Sequence, residues 1–121
     1  MKTFKLLLLV VLFASCESAD PTGGGGTAVT IPLPPTNLAA NATASNNVNL
    51  TWTDVANNEE GYRIERKMLS NSYVTIATLN KNITSYADNT VIGGTTYTYK
   101  MFSFNSAGTS AYTAEVVVTT P

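Results

Sequence analysis

Cys16 carries the clearest chemistry in this 121-residue chain, because it is the only cysteine and directly follows an apolar run ending at Phe13, Ala14 and Ser15. With no second cysteine, an intrachain disulfide is excluded. In an exported protein, a lone thiol is free to oxidise or to pair with another chain. Acylation of the sulfur would remove that liability, and the residues before Cys16 indicate whether the chain is exported.

The residues before Cys16 have the layout of a secretory signal. Lys2 and Lys5 precede eight apolar residues, 6–13, and small residues follow at the expected cleavage position. The run is too short for a transmembrane helix, which needs about 20 apolar residues. Ala14-Ser15-Cys16 resembles the bacterial lipobox, although Phe13 stands where leucine is usual. The resemblance implies cleavage before Cys16 and a lipid-anchored protein of the bacterial cell envelope; simple secretion is the alternative.

Other reactive groups are sparse. The chain has no histidine, and the anchor would consume its one thiol, which removes the common general base and the common sulfur nucleophile. Its serines and threonines have no evident activating partner. We therefore expect no catalytic activity and no cofactor. After cleavage, five basic residues would face eight acidic ones, a net charge of −3 that disfavours nucleic acid as a partner.

One segment is rich in oxygen ligands and contains Asp54, Asn57, Asn58, Glu59 and Glu60. Hard cations such as Ca²⁺ bind such groups. The spacing matches no known calcium loop, and these residue types are also common in turns. We therefore expect a solvated turn and no metal site.

The composition divides the chain into three parts: a signal peptide (1–15), a flexible linker (16–34) and a globular domain (35–121). The linker contains four consecutive glycines, 23–26, and prolines that favour extended backbone. Within the domain, apolar and polar residues alternate with a period of two, for example at Val48, Leu50 and Trp52. This period predicts antiparallel strands with one buried face.

The pattern predicts an all-β protein, an immunoglobulin-like β-sandwich of seven antiparallel strands. Its expected core includes Trp52, Tyr62, Ile64 and Tyr97. The domain resembles fibronectin type III domains of bacterial extracellular proteins, and six segments carry the resemblance in order. They are 35–38 (PTNL), 50–54 (LTWTD), 58–66 (NEEGYRIER), 84–88 (TSYAD), 94–99 (GTTYTY) and 105–112 (NSAGTSAY).

The resemblance implies roles for several residues. Trp52 would fill the core between the sheets, and Tyr97 would form a tyrosine corner in which its hydroxyl bonds to backbone a few residues upstream. Gly61 and Gly108 would occupy positions with φ > 0.

The same alternation sends Phe102 and Phe104 outward, with Arg63 and Lys67 as neighbours on that face. If exposed, the two rings would form a patch that docks a protein or glycan partner. The alternative is that loops or the long stems of the arginine and lysine side chains cover them. Two functions follow: a non-catalytic surface module that contacts a protein or glycan through this face, or a passive spacer, for example the first part of a larger extracellular enzyme or adhesin.

Overall fold

The structure, a computed structural model, describes residues 28–121, and over that range its regular elements are all β-strands. No helix in this range could span a membrane. The strands are β1 (Thr36–Ala44), β2 (Asn47–Thr53), β3 (Gly61–Met68), β4 (Val74–Asn80), β5 (Ser85–Asp88), β6 (Thr96–Asn105), β7 (Gly108–Thr109) and β8 (Val116–Thr119).

Two antiparallel sheets form a sandwich. The smaller sheet has the order β1-β2-β5, and the larger has the order β4-β3-β6, with both β7 and β8 pairing with β6. This arrangement confirms the all-β, immunoglobulin-like antiparallel sandwich expected from the period-two pattern.

The last strand of the predicted seven is split into β7 and β8, which is why the structure has eight. Between them, the N–H groups of Ser110 and Thr113 donate to the carbonyls of Ser103 and Met101, each at 2.8 Å. In return, the N–H group of Ser103 donates to the hydroxyl of Ser110 at 3.0 Å, and the N–H group of Met101 donates to the hydroxyl of Thr113 at 3.1 Å. Side-chain oxygens thus replace part of the β6 ladder where the backbone departs from it.

The core lies between the sheets, and the structure places Trp52, Tyr62, Ile64 and Tyr97 in it. The rings of Trp52 and Tyr62 are 5.8 Å apart and tilted by 59°. The other buried members of this cluster are Val48, Leu50, Val91, Tyr99 and Met101.

Tyr97 forms the corner that the resemblance implied. The backbone N–H of Ile92 donates to its hydroxyl at 2.8 Å, which pins the connection between β5 and β6. The guanidinium carbon of Arg66 lies 4.9 Å from the centre of the Tyr97 ring.

The segment before β1 lies against the domain. The carbonyl of Thr30 accepts from the side-chain amides of Asn58 and Asn105 at 2.9 and 2.8 Å. The carbonyl of Leu33 accepts from the hydroxyl of Ser103 at 2.7 Å. The packed part of the chain therefore includes residues 30–34, which the composition assigns to the linker.

The chain enters and leaves the sandwich at opposite ends. Asn105, which bonds to the entering segment, is the last residue of β6. The carbonyl of Pro121 accepts from the N–H of Gly94, two residues before β6 begins at Thr96. Because β6 has ten residues, the two ends lie about 30 Å apart.

One glycine expectation holds and one is wrong. Gly108 has φ 147°, in the region that favours glycine, whereas Gly61 does not have a positive φ. Gly61 is required for space: a Cβ there would lie 2.2 Å from the carbonyl oxygen of Leu79 and 2.9 Å from the Phe104 ring.

Candidate functional site

The outer face of the larger sheet brings together the residues that the sequence nominated for partner contact. Cross-strand pairing places Arg63 opposite Phe102 and Lys67 opposite Thr98. Side chains at alternate positions of β3 and β6 therefore share this face, as strand parity predicted.

Of the two alternatives left open for the outward-facing rings, cover is the one found at Phe102, which is only 7% exposed and so does not form an exposed docking patch. The Tyr112 ring packs edge-on against it at 5.4 Å, and the Arg63 guanidinium lies 5.8 Å from its centre. Arg63 also lies 5.5 Å from the ring centre of Phe104, which is half-buried. The ring of Phe102 is thus covered by the segment between β7 and β8 and by a long basic side chain. The alternation of residues along β6 does not by itself reveal either of them.

The Lys100 ammonium lies between two tyrosine rings, 4.1 Å from the centre of Tyr73 and 3.8 Å from that of Tyr112. The Tyr73 hydroxyl donates to Glu115 at 2.7 Å, and the Tyr112 hydroxyl donates to Glu65 at 3.0 Å. Aromatic rings, cations and carboxylates thus alternate across the sheet. We call this arrangement the aromatic–cation ladder and define it by Arg63, Phe102, Phe104, Lys100, Tyr73, Tyr112, Glu65 and Glu115.

The pKa values of both tyrosines in the ladder are raised. Burial raises the pKa of Tyr73, and the hydrogen bond and charge of Glu115 raise it further. Burial and Glu65 raise the pKa of Tyr112 in the same way. Tyr112 remains 45% exposed, so it is the aromatic side chain most accessible from solvent in the ladder.

A second polar cluster lies inside the sandwich and joins the two sheets. Arg66 on β3 forms a 2.7 Å ion pair with Asp88 at the end of β5, and Asp88 is only 1% exposed. The Tyr99 hydroxyl donates to the same carboxylate at 2.7 Å. Thr90 donates to it through both its N–H and its hydroxyl, at 3.0 and 2.7 Å.

These bonds decide the protonation of the cluster. Burial raises the pKa of the Asp88 carboxyl, but the hydrogen bonds from Thr90, Tyr99 and Arg66 outweigh it and hold the pKa below its ordinary value. Burial raises the pKa of Tyr99, and so does its bond to Asp88. The buried pair is therefore a charged Arg66 and a charged Asp88, which tie the sheets together.

The oxygen-rich loop between β2 and β3 directs its acidic groups to the protein's own donors. Oδ1 of Asp54 accepts from the N–H of Ala56 at 3.2 Å, and Oε2 of Glu60 accepts from the N–H of Ser106 at 3.1 Å. Over residues 28–121, no group of three or more His, Cys, Asp or Glu side chains could hold a metal ion.

Glu59 in this loop is buried, unlike the solvated turn residue that we expected. It accepts from the Tyr62 hydroxyl at 3.3 Å and from the N–H of Asn82 at 3.2 Å. Burial, followed by the neighbouring Asp54 and Glu59, raises the pKa of Tyr62. Glu59 thus fastens the β2–β3 loop to the β4–β5 turn.

Sequence reasoning missed Arg66, Tyr73, Lys100 and Tyr112. The sequence did contain a signal for Arg66. Alternate residues of β3 face the same side, so Arg66 faces the core together with Tyr62 and Ile64, and a buried arginine needs a buried acid as its partner. The two tyrosines lie outside the strands, so parity could not assign them to this face. Cys16, the predicted lipidation site, lies outside the described residues.

Known proteins resemble this chain in sequence and in fold. Over 105 residues the chain is 39% identical to a poly(3-hydroxybutyrate) depolymerase from Ralstonia pickettii. The matched region covers 86% of this chain but only 19% of the depolymerase.

Solved structures match the same region. A Fn3-like protein from Clostridium thermocellum shares 33% identity and superposes with a TM-score of 0.63, covering 76% of this chain and 96% of that one. A β-1,2-glucanase from Parabacteroides distasonis shares the fold at 22% identity and a TM-score of 0.65, covering 75% of this chain and 13% of that one. Residues 33–119 match the model of the fibronectin type III domain, and the chain therefore belongs to the fibronectin type III family.

Proposed function

We propose that this chain is a non-catalytic spacer module of the bacterial cell envelope, anchored through an acyl group on Cys16 and holding a further unit away from the membrane. The observation that carries the proposal is the position of the two chain ends. The segment that leads back to Cys16 docks beside Asn105, and Pro121 lies at the opposite end of β6. The module therefore adds about 30 Å along its own axis.

The environment of the outer face favours the spacer over a contact module. Phe102 is covered by Tyr112 and Arg63, and the tyrosines of the ladder already bond to Glu65 and Glu115. The depolymerase relative is about five times longer than the matched region, which fits a module within a longer extracellular protein.

Replacement of the domain tests the spacer role. A reporter protein is fused after Pro121, and antibody access to it is measured on intact cells. We expect access to fall when residues 35–121 are deleted and to recover when an unrelated β-sandwich of similar length replaces them. Unchanged access after the deletion would contradict the proposal.

The anchor is tested separately by Cys16→Ser. We expect this variant to escape processing by the lipoprotein peptidase or to be released into the medium. A variant that fractionates with membranes and matures as wild type does would show that Cys16 is not the anchor.

A contact role remains the second candidate, and the exposed Tyr112 beside Lys100 is the observation that favours it. On that hypothesis a protein or glycan partner would bind across the aromatic–cation ladder. Tyr112→Ser combined with Lys100→Ser would then abolish retention of that partner in a pull-down from cell-surface extract, while Val117→Ser on the same face would not.

A further inference from the structure

The end of the sandwich that receives the tether exposes a row of aliphatic side chains. Val29, Ile31 and Leu33 are 59%, 54% and 61% exposed. They alternate with Thr30, whose carbonyl bonds to Asn58 and Asn105, and with Pro32, which is buried. We call these three residues the aliphatic row. Because hydrogen bonds at Thr30 and Leu33 hold the backbone, the row has a defined direction toward solvent.

Two loops at the same end extend this apolar surface. Val55 lies in the β2–β3 loop and Ile83 in the β4–β5 turn, and both are exposed. The charged residues on these loops are Asp54, Glu59, Glu60 and Lys81. Glu59 is buried, and Asp54, which is half-buried, and Glu60 accept hydrogen bonds from backbone N–H groups of the domain. A surface with aliphatic groups and a small net charge suits the interface of a zwitterionic bilayer better than a strongly charged partner.

We propose that this end of the domain rests on the lipid surface, with the aliphatic row inserted among the headgroups. The inference relies on the proposed acylation of Cys16, because the anchor determines which surface is near. Cys16 lies twelve residues before Ala28, so the tether spans at most about 40 Å. Such a short tether holds the row at a high effective concentration next to the bilayer.

The proposal gives the spacer an orientation. With the aliphatic row on the membrane, β6 points away from the bilayer and the Pro121 end stands outermost. A domain that merely hangs on its tether would sample a wide range of orientations, and its tethered end would be nearer to the bilayer only on average.

Energy transfer to vesicles measures this orientation. The chain 16–121 is coupled through the Cys16 thiol to a maleimide lipid in phosphatidylcholine vesicles that carry an acceptor dye. A donor is introduced as an unnatural amino acid at Ser106, beside the row, or at Asn46, at the opposite end. We expect at least twofold more efficient transfer from Ser106 than from Asn46. Equal transfer from the two positions would overturn the proposal.

Substitutions identify the residues that orient the domain on the vesicle. Val29→Ser, Ile31→Ser and Leu33→Ser together should reduce the difference between the two donor positions at least twofold. The matched control, Leu69→Ser, Val74→Ser and Ile92→Ser, removes three exposed aliphatic residues outside this end and should preserve it. If the triple row variant fails to melt cooperatively, Val55→Ser with Ile83→Ser serves in its place and should reduce the difference. A difference as large as that of the wild type in a folded row or loop variant would overturn the proposal.

Thiol coupling separates this result from the anchor itself. The vesicle measurement does not depend on whether cells acylate Cys16, whereas the fractionation of Cys16→Ser does not depend on how the domain is oriented. Each of the two hypotheses can therefore fail alone.

Discussion

The hydroxyl of Tyr99 donates a 2.7 Å hydrogen bond to Oδ2 of Asp88, across the space between the two sheets. The same oxygen accepts from Arg66 at 2.7 Å. A strand of the larger sheet thus supplies each donor, and the smaller sheet supplies the acceptor. In a chain with no intrachain disulfide, this polar link adds to the apolar core in holding the sheets together.

We expect Asp88→Asn to destabilise the domain by about 3 kcal/mol at pH 7, because it leaves Arg66 without its buried counter-charge. The effect should depend on pH. The folded-state pKa of Asp88 lies below its unfolded value of about 3.9. Its stabilising contribution is therefore complete above that value and is lost as the pH falls through the folded-state pKa. Urea denaturation between pH 6 and pH 2 should show the wild type approaching the variant; a constant gap would contradict this role.

Tyr97→Phe should cost about 1–2 kcal/mol while preserving the fold, because it leaves the N–H of Ile92 without its partner. Tyr99→Phe is not a neutral control, since that hydroxyl bonds to Asp88. Tyr86→Phe is suitable, because Tyr86 is half-buried and lies on β5, away from the corner between Ile92 and Tyr97. Chemical denaturation should give Tyr97→Phe a clearly lower free energy of unfolding than Tyr86→Phe. Equal losses in the two variants would show that Tyr97 does not form a stabilising tyrosine corner.

Phe102→Ser should destabilise the domain by about 3 kcal/mol, because the ring is buried against Tyr112 and Arg63. Val117→Ser on the same face is the control, since Val117 is exposed. Its cost should stay under about 0.5 kcal/mol. Thermal melts of the two variants decide the matter: similar melting temperatures would mean that Tyr112 does not cover the ring in solution.

Gly61→Ala should cost about 1–3 kcal/mol, because its Cβ would press on the carbonyl of Leu79 at the junction of β3 and β4. Gly94 offers a contrast, since it has φ 68° and open space around it. Asparagine tolerates that conformation, so Gly94→Asn should be the milder change. Denaturation in guanidinium chloride compares them, and a milder effect at Gly61 would refute the steric explanation.

Much of the architecture followed from the order of residue types. Period-two alternation around Trp52 and Ile64 is enough to predict strands and their buried faces, because successive side chains of a strand point to opposite sides. Tyr97 could be assigned through its spacing within a familiar motif. The acylation proposed at Cys16 also rests on local order, since signal sequences are recognised as linear segments, and it stays a prediction.

Tertiary structure decided what covers each face. Parity correctly placed Phe102 on the outer side of the larger sheet, but Tyr112 reaches it from a segment that belongs to no strand. Arg66 meets Asp88 only because the two sheets pack face to face, which brings together residues 22 positions apart. Alternation along a strand determines the direction of a side chain, whereas its burial and its partners depend on segments distant in sequence, and only folding brings those segments together.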